Sequence, residues 1–247
     1  MTRKKSTKSL ALWFQILALL GLGLIPLIVY RIMMNAPSLS SQPIVVGLIF
    51  IVICLLGAVT GVRPSSFSRA AFRRSKQEEF SDSKKSDMLI QQPTLQGHHY
   101  TCDAFSDHVL RISNRVFCAG CTGLTTGAII AILGSIGYFF LGILLVNELL
   151  LFWLGFTGVF FGLVQHHLYR FLSIKSGFFR FVLNVFFVLG AFFLLVGANR
   201  VTTNFAVDLY ILCIILLWIL SRVTMSSFEH GKICAQCDDV DCIHHLS

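Results

Sequence analysis

The sequence predicts an all-α, polytopic integral membrane protein with about six transmembrane helices. Of its 247 residues, 55% are hydrophobic and only 13% are charged, and the mean hydropathy is +0.76. A soluble domain carries about 25% charged residues. The apolar residues also fall in long uninterrupted blocks, which hydrocarbon demands and a soluble core does not.

The first block, residues 10–30, follows Arg3-Lys4-Lys5 and Lys8. It is longer than the ~7–15-residue core of a secretory signal. It also contains Pro26 and ends on Tyr30-Arg31, so it reads as an uncleaved anchor. Blocks 43–62, 122–145, 149–165, 178–197 and 205–221 follow, most of them near the ~20 residues that cross ~30 Å of hydrocarbon. The shortest is 149–165, preceded only by the polar pair Asn147-Glu148, and a re-entrant hairpin is the alternative there. Gly123 and Gly127 give the third block a small-xxx-small face that admits a close neighbour. The Phe-rich fourth and fifth blocks read as bulk facing lipid or the bundle. Asp208, Gln15 and Asn184 are the polar candidates within the spans. Ion- or proton-coupled transport usually needs more intramembrane charge, so a transporter ranks third among the functions considered.

Orientation follows from the basic residues of the short loops. With the amino terminus inside, eighteen of the twenty Lys and Arg fall in inner segments, leaving Arg31 and Arg200 outside. The expectation is N-in and C-in, in the cytoplasmic (inner) membrane of a cell. Topology thus accounts for the net charge of +8. Arg63, Arg69, Arg73, Arg74 and Lys76 follow the second block and face anionic inner-leaflet lipids, each contributing roughly 1 kcal/mol of attraction. No folded module or aromatic-interleaved pattern surrounds these charges, so nucleic acid is not an expected partner.

Four regions result. Residues 1–62 hold the basic amino terminus and the first two spans, and 63–96 form a charged segment poor in apolar residues, expected to be flexible. Residues 97–221 hold a Cys/His loop and four spans. Residues 222–247 form a tail too short to build a core without a staple or a metal.

The chemistry is concentrated in two clusters. Cys102, His108, Cys118 and Cys121 run into the third span, and Cys234, Cys237, Cys242 and His244 close the chain, with His245 as an alternate ligand. Both clusters lie on the predicted cytosolic side, where thiols stay reduced and clustered cysteines favour metal binding or catalysis over disulfides. Zinc takes four Cys or His ligands in a tetrahedron, and a Cys-x2-Cys pair supplies two from one tight turn. Iron–sulfur ligation can use similar spacing. Asp238, Asp239 and Asp241 surround the second cluster as outer-shell partners or solvated charges. Each cluster is locally complete, which favours two sites over a single one joining both Cys-x2-Cys pairs.

Thiol redox chemistry is the rival reading. Cys118 and Cys121 sit where a helix begins, and helix-terminal amides there stabilise a thiolate. No thioredoxin-like βαβ pattern surrounds them. The pairs His98-His99 and His166-His167 carry no assigned role; adjacent helical histidines point about 100° apart, so each pair offers one ligand at most. His166-His167 reads as an interfacial helix end, or else one ring stands beside the Cys118/Cys121 pair. Lone Cys54 and Cys213 read as small hydrophobes within spans.

The segment from His98-His-Tyr-Thr-Cys102 through His108-Val-Leu-Arg-Ile-Ser-Asn-Arg115-Val-Phe-Cys-Ala-Gly-Cys-Thr-Gly123 resembles an uncharacterised family of small prokaryotic polytopic membrane proteins. In that family a Cys/His loop leads into Cys-x-x-Cys-x-Gly at the head of a span. The resemblance implies that the loop and the third span form one unit. It implies no activity, and it does not extend to the cysteine-rich tail. The sequence thus leads to a membrane protein that binds metal, zinc foremost, in a structural or sensory role, with thiol redox or iron–sulfur electron transfer next.

Overall fold

The computed structural model of the chain describes residues 2–35, 43–62, 108–112, 115–143, 147–172 and 176–234. Six α-helices dominate: α1 (Thr2–Asn35), α2 (Pro43–Val62), α3 (Ala119–Ser135), α4 (Glu148–Leu172), α5 (Gly177–Thr202) and α6 (Phe205–Cys234). Five stretches are long and apolar enough to cross a membrane: Ser9–Met34, Ala119–Phe140, Glu148–Tyr169, Gly177–Thr202 and Phe205–Ser226. These mark a multi-pass membrane protein. The sixth helix, α2, is apolar over the shorter stretch Pro43–Val59.

Three details amend the expectations. An antiparallel hairpin, β1 (Val109–Ile112) and β2 (Arg115–Cys118), precedes α3 in a chain read as wholly helical. Its register pairs Val109 with Cys118 and Ile112 with Arg115. The third span ends earlier than residue 145. Its α-helix passes into a π-helical segment, Ile136–Phe140, and Gly142 takes a positive φ of 65° that ends the run. The fourth span is no re-entrant hairpin. It is one unbroken helix of 25 residues, started by Asn147, whose Oδ1 accepts from the Leu149 N–H at 2.9 Å.

Packing explains what the glycines are for. A Cβ on Gly123 would sit 2.9 Å from the Asn184 Cβ, and one on Gly127 3.0 Å from that of Val188, so α5 is the close neighbour predicted for α3. The tighter seam joins α4 to α5. A Cβ at Gly155 would run into the Leu194 backbone, and one at Gly190 would sit 2.7 Å from the Val159 nitrogen. The fourth and fifth spans are therefore more than apolar bulk, because backbone meets backbone between them.

Helix α1 lies along α6 and is fixed to the bundle by polar bonds. Trp218 Nε1 donates to the Ala18 carbonyl at 3.1 Å, Tyr210 Oη to that of Gly21 at 3.3 Å, and Gln15 Nε2 to that of Leu163 at 3.1 Å. Inside are Leu22, Ile25, Phe50, Leu194 and Trp218, while Trp13, Leu27, Leu133 and Trp153 face outward. An outward apolar shell is what a lipid environment asks for.

Candidate functional site

The site is built where the hairpin meets the bundle. Cys118 is both the last residue of β2 and the N-cap of α3, with an extended backbone (φ −68°, ψ 115°). Because Val109 pairs with Cys118, the register carries His108 to the same corner as the Cys-Ala-Gly-Cys turn. The hairpin rests on the start of α5. Gly177 lies directly under the Val109 carbonyl, leaving no room for a Cβ. Thr122 Oγ1 donates to the Cys118 carbonyl at 2.8 Å and tightens the first turn of α3.

Cys118 and Cys121 are half-buried thiols, not joined to each other or to another cysteine. They open onto a cavity of about 270 Å³ whose walls also hold His108, His166, Arg180, Asn184 and Arg222. The start of α3 and α5 and the end of α4 and α6 therefore meet here. The Cys121 thiol donates to the Cys118 sulfur; the backbone N–H groups of Cys121 and Gly120 add to this, as does the Arg180 charge. Burial opposes them, but the net effect holds the Cys118 thiol well below the ordinary cysteine range. The arrangement favours a thiolate at Cys118, with the Cys121 thiol beside it.

One amide aims the Arg222 guanidinium. Asn184 Nδ2 donates to the Arg180 carbonyl at 2.6 Å, and its Oδ1 accepts from Arg222 Nη2. Arg222 Nη1 donates to the Gly162 carbonyl, so α6 is tied to α4 and α5 together. Aromatic rings carry the cations: Arg180 lies 4.2 Å from the Tyr169 centroid and Arg222 5.0 Å from that of Phe187.

Of the eight candidate ligands, the structure brings His108, Cys118 and Cys121 to one cavity. Cys102, Cys237, Cys242 and His244 lie outside the described residues, as do His98 and His99. Cys234 closes α6, twelve residues beyond Arg222, which is about 18 Å along a helix. Among the described residues, no group of three or more His, Cys, Asp or Glu is placed to hold a metal ion. His166 lies in the cavity wall while His167 is exposed, which separates the two members of that pair.

Sequence reasoning missed Arg180 and Arg222 as site residues, because both counted only as charges that set orientation. Asn184 was legible as a polar residue within a span, but its role as the acceptor that aims Arg222 was not. The hairpin had a signal: Val109-Leu-Arg-Ile and Arg115-Val-Phe-Cys are rich in strand-forming residues around Ser113-Asn114, a turn-forming pair.

The opposite end of the bundle is built differently. Asp208 is fully buried and accepts from Asn199 Nδ2 at 2.7 Å, while Tyr138 Oη donates to Asn199 Oδ1 at 2.9 Å. At its edge Arg200 meets Glu148 at 3.6 Å. No protein-family model, curated protein or solved structure matches the chain.

Proposed function

We propose that the chain is a membrane thiol protein whose Cys118 and Cys121 cycle between a dithiol and a disulfide. The observation that supports this is the contact between the two sulfurs at the start of α3, with Cys121 donating to a Cys118 thiol of depressed pKa beside Arg180. Helix-terminal amides, a nearby cation and a second thiol in contact are what a redox pair needs. Oxidation joins the two sulfurs and passes two electrons to an acceptor disulfide, which leaves as two thiols. The positive-inside pattern supports an N-in, C-in orientation with this end toward the cytosol and the basic segment against anionic lipids.

The test is a redox titration of detergent-purified protein in thiol–disulfide buffers, with the remaining thiols trapped by alkylation and counted by mass. Cys118 and Cys121 are expected to disappear together as one two-electron couple, and Cys118→Ser and Cys121→Ser should each abolish it. Independent oxidation of the two thiols would sink the proposal.

The shared cavity leaves room for a second reading. His108, Cys118 and Cys121 all line it but are not grouped closely enough to hold an ion, so zinc, which takes four such ligands, would have to draw them together. Cys102 would be the fourth. Metal analysis with an absorption spectrum decides between the readings. One zinc per chain, lost in Cys118→Ser, makes the pair a ligand set; iron with visible absorption makes it a cluster site. The separation along α6 supports treating Cys234, Cys237, Cys242 and His244 as a distinct second set.

A further inference from the structure

We infer that the cavity recognises a disulfide bearing a carboxylate, with Arg222 seating its anionic arm while one of its sulfurs meets Cys118. The inference rests on the dithiol reading and adds a substrate class to it.

Two guanidinium groups and Cys118 share a space of about 270 Å³, and among the described residues no Asp or Glu lines it. The partners of Arg222 are a carbonyl, an amide oxygen and an aromatic ring. All three are neutral, so they fix its direction without cancelling its charge. These bonds use two of the five N–H donors on a guanidinium, and the planar fork that remains matches a carboxylate. Ser221 and Ser226 add hydroxyls to the same wall. A positive cleft with low-dielectric walls concentrates anionic reactants.

The step balances without another reactant. The Cys118 thiolate attacks one substrate sulfur, forming a mixed disulfide and releasing the first arm as a thiolate. Cys121 then attacks the Cys118 sulfur, its proton passing to the departing second thiolate. The substrate gains two electrons, and the protein is left with a Cys118–Cys121 disulfide.

The test uses reduced full-length protein and three size-matched disulfides: dithiodipropionate, hydroxyethyl disulfide and cystamine, which are anionic, neutral and cationic. Oxidation by dithiodipropionate is expected to outpace cystamine by about tenfold over the ratio shown by a small thiol in solution. Arg222→Gln should collapse that preference, and Arg200→Gln at the far end should not. A charge-blind rate series overturns the substrate class and leaves the dithiol reading standing. Failure of all three disulfides to react overturns both. If Arg222→Gln does not fold, the wild type still decides through alkylation of Cys118. An iodoacetate-to-iodoacetamide rate ratio above that of a small thiol supports the inference, and an equal ratio overturns it.

Discussion

At one end of the bundle Tyr138, Asn199 and Asp208 bond one another in a buried chain; at the other, Cys118, Arg180 and Arg222 line a cavity. Both ends take polar side chains from α5 and α6. At the first, the donors and acceptors largely meet each other, so the network holds helices together. At the second, Asn184 and the Gly162 carbonyl aim Arg222 without neutralising it. Polarity within a membrane bundle can thus brace the structure or prepare a site, and the identity of the hydrogen-bond partners tells which.

Four experiments break or sharpen this contrast. The largest effect is expected from Gly155→Leu, because both ends depend on the α4–α5 seam. A side chain there meets the Leu194 backbone, which cannot give way as a rotamer can. The cost should exceed the ~1–3 kcal/mol of ordinary overpacking, seen as loss of monodisperse protein.

Asp208→Ala comes next. It should remove about 2 kcal/mol of stability, since the buried Asn199 amide loses that acceptor, and lower the thermal midpoint. Alkylation of Cys118 should stay at its wild-type rate. A parallel loss of thiol reactivity would show that the two ends are coupled.

The third experiment is a pH profile of Cys118 alkylation. A depressed pKa leaves the thiolate present at pH 7, and its reactivity is lost only as the pH falls through that lowered value. The profile should sit more than a pH unit below the ~8.5 of an ordinary cysteine and return to that value in denaturant. The corresponding stabilisation is present above the unfolded pKa and disappears on acidification, since the folded state holds its proton less tightly.

The smallest effect belongs to Asn184→Ala, which should cost about 1 kcal/mol. Its value lies in a second readout. Arg222 loses the acceptor that aims it, so the iodoacetate-to-iodoacetamide ratio at Cys118 should fall toward that of a small thiol.

Much of the architecture was legible because membrane spans are written in composition. The blocks that became α1, α3, α4, α5 and α6 announced themselves by length and apolarity, and Gly123 and Gly127 foretold a close neighbour. What escaped notice depends on long-range juxtaposition. Nothing local to Arg222 says that it meets the Gly162 carbonyl, sixty residues earlier, or the Asn184 amide oxygen. The Gly155–Gly190 seam was hidden for the same reason, since small residues on two helices mean little until the helices are paired. Asp208 was noticed as a charge but not as an acceptor for Asn199. The cysteine pair was legible as a motif, while the cavity it shares with Arg180 and Arg222 came only with the packing of the helices.

The bonds from α6 to α1 bear on how the protein is made. Trp218 and the Ala18 carbonyl it binds are 200 residues apart in sequence. Tyr210 and Gly21 are almost as distant. Helix α1 is thus completed by α6, made some two hundred residues later, and it must wait in the bilayer, or under the care of the insertion machinery, while the intervening helices are synthesised. A nascent chain released before α6 would carry an α1 held to the bundle by Gln15 but without the helix it lies along.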